Sequence, residues 1–320
     1  MLESRFIFDE IPRRASCHCA SMAELPGGEL LATWYAGTHE GHPDVAILCA
    51  RLPSGARAWT APEVLVDIPG RPGGNTVVFH DGERTLLHFY NIIEGEGWRS
   101  AMLYLDRSTD GGRTWERARL FDDRPGMMVR HRPVRLTSGR ILLPAYDEAT
   151  WQGLCFISDD GGESWREAGR MVADGPCIQP AIIERDDGKL HALLRAGEGG
   201  RAWECDSLDG GATWSRCVPS KLRNPNSGAD MIRLSSGEVI ACFNDCTSGR
   251  TPLTLALSLD EGRTWAGRHN LETEAGEYSY PTLMQASDGR VHLVYTWQRK
   301  RIRHLCFDRR WLDTWAGLSG

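Results

Sequence analysis

Along most of the chain, apolar and polar residues alternate in short bursts that stop at a polar, glycine-containing turn. No window sustains an apolar position every three to four residues, so the pattern predicts strands throughout and few helices. One unit, an apolar strand, a polar turn with glycine and a second apolar strand, occurs six times, with turn glycines Gly28, Gly82, Gly139, Gly188, Gly237 and Gly289. An octapeptide recurs four times between these units: Ser108 to Trp115, Ser158 to Trp165, Ser207 to Trp214 and Ser258 to Trp265. Successive tryptophans lie 50, 49 and 51 positions apart, and a worn fifth copy runs from Pro53 to Trp59. A repeat of that length means stacked supersecondary units that bury their faces against one another. Six inner hairpins, completed by outer hairpins at the octapeptides, predict an all-β, six-bladed β-propeller formed as one domain over residues 1–320. The last apolar strand, Ile302 to Phe307, is expected to close the ring against residues near Phe6.

The octapeptide has local physics of its own. Its Asp can bond the turn backbone, its Gly supplies a positive φ, and its Ser and Thr hydroxyls tie the hairpin ends. The Trp then covers the gap between neighbouring sheets. These aspartates are therefore read as structural staples and not as catalysts.

Composition narrows the function. The 37 Lys and Arg against 43 Asp and Glu leave a net charge of −6, which offers no electrostatic case for a nucleic acid or an anionic membrane. The first residues lack a basic region followed by an apolar one, and no apolar run is long enough to span a bilayer, so a cytoplasmic location is expected. Ten Cys occur without any C-x-x-C pair and read as buried thiols, and Cys17-His18-Cys19 has no second ligand pair to make a metal site. No metal or organic cofactor is expected.

Polar residues stand where inner strands should begin, a position that converges on the channel of such a ring. They include Arg130-His131-Arg132 and Asn224-Pro225-Asn226-Ser227-Gly228-Ala229-Asp230. A glycine-containing loop between two strands carries His39, Glu40, His42 and Asp44, groups suited to proton transfer.

The S-x-D-x-G-x-T-W octapeptide at this pitch resembles the Asp-box of the sialidase superfamily. The segments CHCASMAELPGGELLATWYAGTHEGHPDVAI, IQPAII, NPNSGAD, GRTPLTLALS and GEYSYPTLMQ are similar to bacterial BNR-repeat proteins described as predicted neuraminidases. The resemblance runs from about residue 11 to 305. It implies three arginines holding a substrate carboxylate, a Tyr paired with a Glu at the anomeric carbon, and an acidic residue moving the leaving-group proton. Carried over position by position, it places Arg195 and Arg250 as two of the arginines. Tyr278 reproduces the family's Tyr-Ser dipeptide, whereas Tyr280 keeps its distance to the following turn; both are expected on one strand face. Asp44 matches the second of two family aspartates, while the catalytic one falls near His39 or Glu40. Two positions depart from the pattern: His18 stands where the first arginine belongs, and Gln179 where the Glu belongs. Arg132 is the expected replacement for the lost positive charge, and Asn226 joins the binding set.

The resulting expectation is a sialidase-like exo-glycoside hydrolase acting on a small acidic oligosaccharide. The alternatives are a lyase acting on a uronic acid, in which the arginines acidify a C–H and a His or Tyr takes the proton, and a non-catalytic sugar-binding propeller.

Overall fold

The computed structural model describes residues 1–116 and 119–316. Its regular structure is almost entirely antiparallel sheet, arranged as four sheets of four strands and one of nine. The first sheet holds Ser16–Glu24, Leu30–Gly37, Ala46–Leu52 and Glu63–Val66, paired in chain order, and the second Gly73–His80, Leu86–Ile93, Ala101–Ser108 and Arg119–Asp122. The nine-stranded sheet divides at a single parallel bridge, Gln152 to Cys177. Its first part pairs Met127–Val129 and Val134–Arg135 with Ile141–Asp147, then Gln152–Ser158 and Arg166–Met171; its second part runs Cys177–Glu184, Leu190–Ala196, Gly200–Ser207 and Val218–Asn224. Asp230–Arg233, Val239–Asn244, Leu253–Ser258 and Gly267–Glu272 make the next sheet. The last combines Tyr278–Gln285, Val291–Trp297 and Arg301–Phe307 with the N-terminal strand Leu2–Phe6. Phe6 opposes Arg303 in that closing pair, as the apolar pattern at the two chain ends anticipates.

The core lies between the faces of successive sheets. Phe89 of the second sheet, for example, packs edge-on to Phe121 and Trp165, and Phe156 and Leu143 bury in the same cluster. In each intact octapeptide the Ser hydroxyl donates to the Asp and accepts from the second turn position's neighbour: Ser158 Oγ bonds Asp160 at 2.8 Å and receives the Gly162 N–H at 2.8 Å. Asp160 also accepts from the Ser164 N–H at 2.9 Å. Hydrogen bonds from Ser164 and Ser158 hold the Asp160 carboxyl down at about 2, so it stays ionised and cannot trade protons at neutral pH.

One helix was not anticipated. Arg309–Ala316 forms a short helix whose first turn is capped by Asp308, with Leu312 buried and Trp311 and Trp315 packed beside it. Eight residues are too few to display a sustained period, and its stability comes from that packing.

Four inner strands share an irregularity. Register shifts fall between His18 and Ser21, Gly73 and Thr76, Ile178 and Ala181, and Ser279 and Thr282. At three of them a residue other than glycine takes a positive φ: Cys19 at 60°, Gln179 at 55° and Tyr280 at 54°. Such bulges re-aim side chains, and non-glycine residues at positive φ cluster where function demands them.

Candidate functional site

The bulges and the loops joining second to third strands meet at one cavity of about 180 Å³, lined by Tyr35, Glu40, Asn75, Trp98, Tyr146, Glu148, Trp151, Ile178, Gln179, Arg195, Arg250, Tyr280 and Arg299. Glu40, Trp98, Glu148, Arg250 and Arg299 come from five such loops, and Arg195 from the end of Leu190–Ala196. A larger groove of about 740 Å³ lies elsewhere, but Arg5 and Arg290 in its wall are already matched by Glu3 and Asp288.

Three guanidiniums converge on the cavity. Arg195 donates through Nε to Asn226 at 2.7 Å and through Nη1 to the Tyr280 oxygen at 2.6 Å. Arg250 Nη1 reaches Glu277 at 2.7 Å and Ser279 at 3.3 Å. Arg299 donates through Nε to the same Glu277 oxygen at 2.6 Å and forms an ion pair with Glu40. Glu277 thus braces two of the three. Burial would raise its carboxyl pKa, but Arg250 and Arg299 bring it below the ordinary glutamate range. A guanidinium has five N–H donors, and among the described residues these bonds leave Nη2 of Arg195, Arg250 and Arg299 without a protein acceptor. That arrangement suits a planar anion.

Tyr280 forms the floor. Its oxygen accepts from Arg195 and, at 3.3 Å, from Gln179. Beneath its ring lies Arg130, fully buried, 5.0 Å from the centroid and bonded to the Pro281 carbonyl at 2.7 Å and Thr282 at 3.0 Å. Arg130 thereby secures the bulge that aims Tyr280. His18 packs against the same ring, centroids 4.1 Å apart, with Nδ1 bonded to Thr296 at 2.8 Å and Nε2 buried without a partner. Burial, then the field of Arg299, Arg250, Arg130 and Arg195, pushes the His18 pKa well below its usual value, so the imidazole is neutral.

The structure separates several residues that the sequence grouped. Tyr278 does not share a face with Tyr280: the bulge between them breaks the two-residue alternation, and Tyr278 sits in the apolar core, accepting from Gln298 at 2.7 Å. Asp44 does not line the cavity. Its carboxylate closes its own loop through the Thr38 N–H at 3.0 Å, the Thr38 hydroxyl at 2.7 Å and His42 at 2.7 Å. Burial would raise its pKa, but those bonds bring it down to about 2, which excludes it as a proton donor at neutral pH. Arg132 is also elsewhere, in a separate cavity with His131 and Asp230, because the chain leaves strand geometry between Val129 and Val134. Asn226 stands behind Arg195 as its brace.

Sequence reasoning missed Arg299, Glu277 and Glu148, and it placed Arg130 at the channel without seeing that it lies beneath Tyr280. Arg299 lies within Gln298-Arg299-Lys300-Arg301, which resembles any solvated basic turn. Only the positive φ of Gln298 and Arg299 turns the latter's side chain inward. Among the described residues no cluster of three or more His, Cys, Asp or Glu is arranged to hold a metal ion, and no helix is long and apolar enough to cross a membrane.

Comparison with known proteins bears on the family and the fold. A sialidase of Micromonospora viridifaciens is 26% identical over 342 aligned positions, covering 91% of this chain and 51% of that protein. An anhydrosialidase of Macrobdella decora is 29% identical over 189 positions, 52% of this chain and 24% of that protein. The chain thus spans about half or less of the length of these curated relatives. The structure of an intramolecular trans-sialidase from Ruminococcus gnavus, in complex with oseltamivir carboxylate, matches with a TM-score of 0.78 at 15% identity, covering 93% of this chain and 95% of that one; at that identity the likeness is one of fold. The family model described as a BNR repeat-like domain covers residues 28–293, and the chain belongs to that family, within the sialidase superfamily.

Proposed function

We propose that the protein is a sialidase-like exo-glycoside hydrolase acting on a terminal, carboxylate-bearing sugar, and that its sheets are the six blades of a propeller with the site at one mouth of the channel. The observation that carries the reading is the convergence of Arg195, Arg250 and Arg299 on the cavity with Tyr280, each Nη2 having no protein acceptor among the described residues. Three fixed cations around a small cavity recognise a planar carboxylate by charge and by paired N–H donors. The cavity's 180 Å³ is well below the usual size of a ligand pocket, which favours end-on entry of one sugar ring over a lengthwise polymer.

In this reading the arginines seat the carboxylate and Tyr280 faces the anomeric carbon, its oxygen oriented by Arg195 and Gln179. An amide at Gln179 cannot accept the phenol proton as a glutamate would, so Arg195 is the charged partner of the Tyr280 oxygen. The substrate is a small acidic oligosaccharide, and the reading invokes no cofactor. A cytoplasmic location remains part of the proposal.

The same arginines suit a second reading. By neutralising a carboxylate they acidify the C–H beside it, and Tyr280, which lines the cavity, is placed to take that proton in the first step of an elimination. Incubation with a panel of acidic oligosaccharides, followed by mass spectrometry, separates the readings. Products whose summed mass exceeds the substrate by one water, lost in Arg250→Ala, support hydrolysis. Products without added water that also carry the ultraviolet absorption of an unsaturated sugar point to a lyase, those without it to intramolecular transfer, and binding without turnover points to a sugar-binding module.

A further inference from the structure

Two glutamates line the cavity, and their surroundings differ. Glu40 is fully engaged: its carboxylate accepts from the Tyr35 hydroxyl at 2.9 Å and the Trp98 indole at 3.2 Å and pairs with Arg299. Glu148 lies on the turn between Ile141–Asp147 and Gln152–Ser158, half-buried. Its backbone is pinned, since its N–H donates to Gly126 at 2.8 Å. The preceding Asp147 anchors the turn, accepting from the Ala149 N–H at 2.9 Å and from Arg170 at 3.1 Å. Among the described residues the Glu148 carboxyl itself makes no hydrogen bond or ion pair, although it borders the space between Tyr146, Trp151 and Arg195. A rigid turn that holds a carboxyl at a cavity wall without a partner leaves it available to a ligand.

We infer that Glu148 is the proton donor to the leaving-group oxygen, a role that rests on the glycosidase reading above. The bond between the anomeric carbon and the exocyclic oxygen breaks, its electron pair stays on that oxygen, and the Glu148 O–H proton moves to it. The resulting Glu148 carboxylate then takes a proton from the water whose oxygen bonds to the anomeric carbon. Bond and proton count therefore close on simple hydrolysis. The protonation state agrees with the role. Burial raises the Glu148 pKa, with Arg195 and Arg99 offsetting only part of the effect, whereas Glu277, clamped by two arginines, is shifted the other way. Two carboxyl groups pushed apart by their environments divide the labour of acid and charged brace.

The test compares the 4-nitrophenyl and methyl glycosides of a panel of acidic sugars that includes sialic acid and glucuronic acid. A nitrophenolate departs without protonation, whereas methoxide needs an acid. Glu148→Gln is expected to lower kcat/KM on the methyl glycoside by roughly 100-fold or more and on the nitrophenyl glycoside by less than about 10-fold, with loss of the alkaline limb of the pH profile. Glu148→Asp should restore part of the methyl-glycoside rate. Equal losses on both glycosides, or the same selectivity produced by Glu40→Gln, would overturn the assignment. A wild type that cleaves neither glycoside removes the glycosidase reading itself. That failure is distinguishable, because the infrared carboxyl titration of wild type minus Glu148→Gln still reports Glu148 directly, and a titration in the ordinary glutamate range overturns its role independently of turnover.

Discussion

The outer turns and the inner bulges solve the same backbone problem in opposite ways. At three of the four intact octapeptides, Gly111 and Gly112, Gly161 and Gly162, and Gly210 and Gly211 carry the positive φ, which glycine adopts without steric cost; in the fourth, Glu261 at 59° shares it with Gly262. At the inner bulges it is carried by Cys19, Gln179 and Tyr280, where each side chain costs on the order of 1 kcal/mol or more. The outer turn needs only to reverse the chain. At Gln179 and Tyr280 the inner bulge presents a side chain to the cavity, so glycine would defeat its purpose there. Strain is tolerated where neighbouring groups fix the residue, as Arg130 does for Tyr280.

This contrast can be broken by substitutions on each side of it. The largest effect is expected at the cations: Arg195→Ala or Arg250→Ala should lower kcat/KM on an acidic sugar by roughly 100-fold or more, while the circular-dichroism spectrum is unchanged. A loss below threefold in steady-state assays would remove the carboxylate clamp from the mechanism. Next, Tyr280→Phe should lower kcat by about 100-fold, whereas Tyr278→Phe, in the core, should lower it by less than about threefold; the reverse order would mean that the bulge does not aim the tyrosine as described.

The outer turn should answer in stability alone. Ser158→Ala removes the hydroxyl that satisfies the Gly162 N–H and should cost about 1–2 kcal/mol, read as a midpoint shift in urea, with kcat/KM unchanged. The smallest signal is spectroscopic. The ring nitrogens of His18 should still report a neutral imidazole by nitrogen NMR when the pH is lowered past the ordinary histidine range. Because its folded pKa lies below the unfolded one, lowering the pH through about 6.5 protonates the unfolded chain first, so this group's contribution to stability is intact above that pH and declines below it. A His18 titration near 6.5 would contradict the burial and the arginine field around it.

Much of the frame was legible in residue order. The octapeptides place their turns through bonds spanning two to four residues, such as Ser158 with Asp160 and Asp160 with Ser164, and contacts that local leave a pattern in sequence. The hairpin glycines and the closing pair of Leu2–Phe6 with Arg301–Phe307 were readable for a similar reason, through alternation and its match at the two ends. The site was legible only in part. Arg195, Arg250, Gln179 and Tyr280 were found through family spacing, and the structure brings them together. Tyr278, Asp44 and Arg132 had the same standing in sequence, yet a bulge, a self-bonded loop and a broken strand send them elsewhere.

Sequence alone determined the all-β class, the pitch of the repeat and the chemistry of its turns, because each depends on neighbours within a few residues. Which side chains share the cavity depends on pairs such as Glu40 with Arg299, separated by 259 positions, and Arg130 with Pro281, separated by 151. Those meetings are set by ring closure and by positive φ at a few non-glycine residues, neither of which is encoded in local alternation. Only the tertiary structure could therefore decide that Arg299, and not Arg132, completes the set of three, and that Glu148 borders the cavity without a protein partner among the described residues.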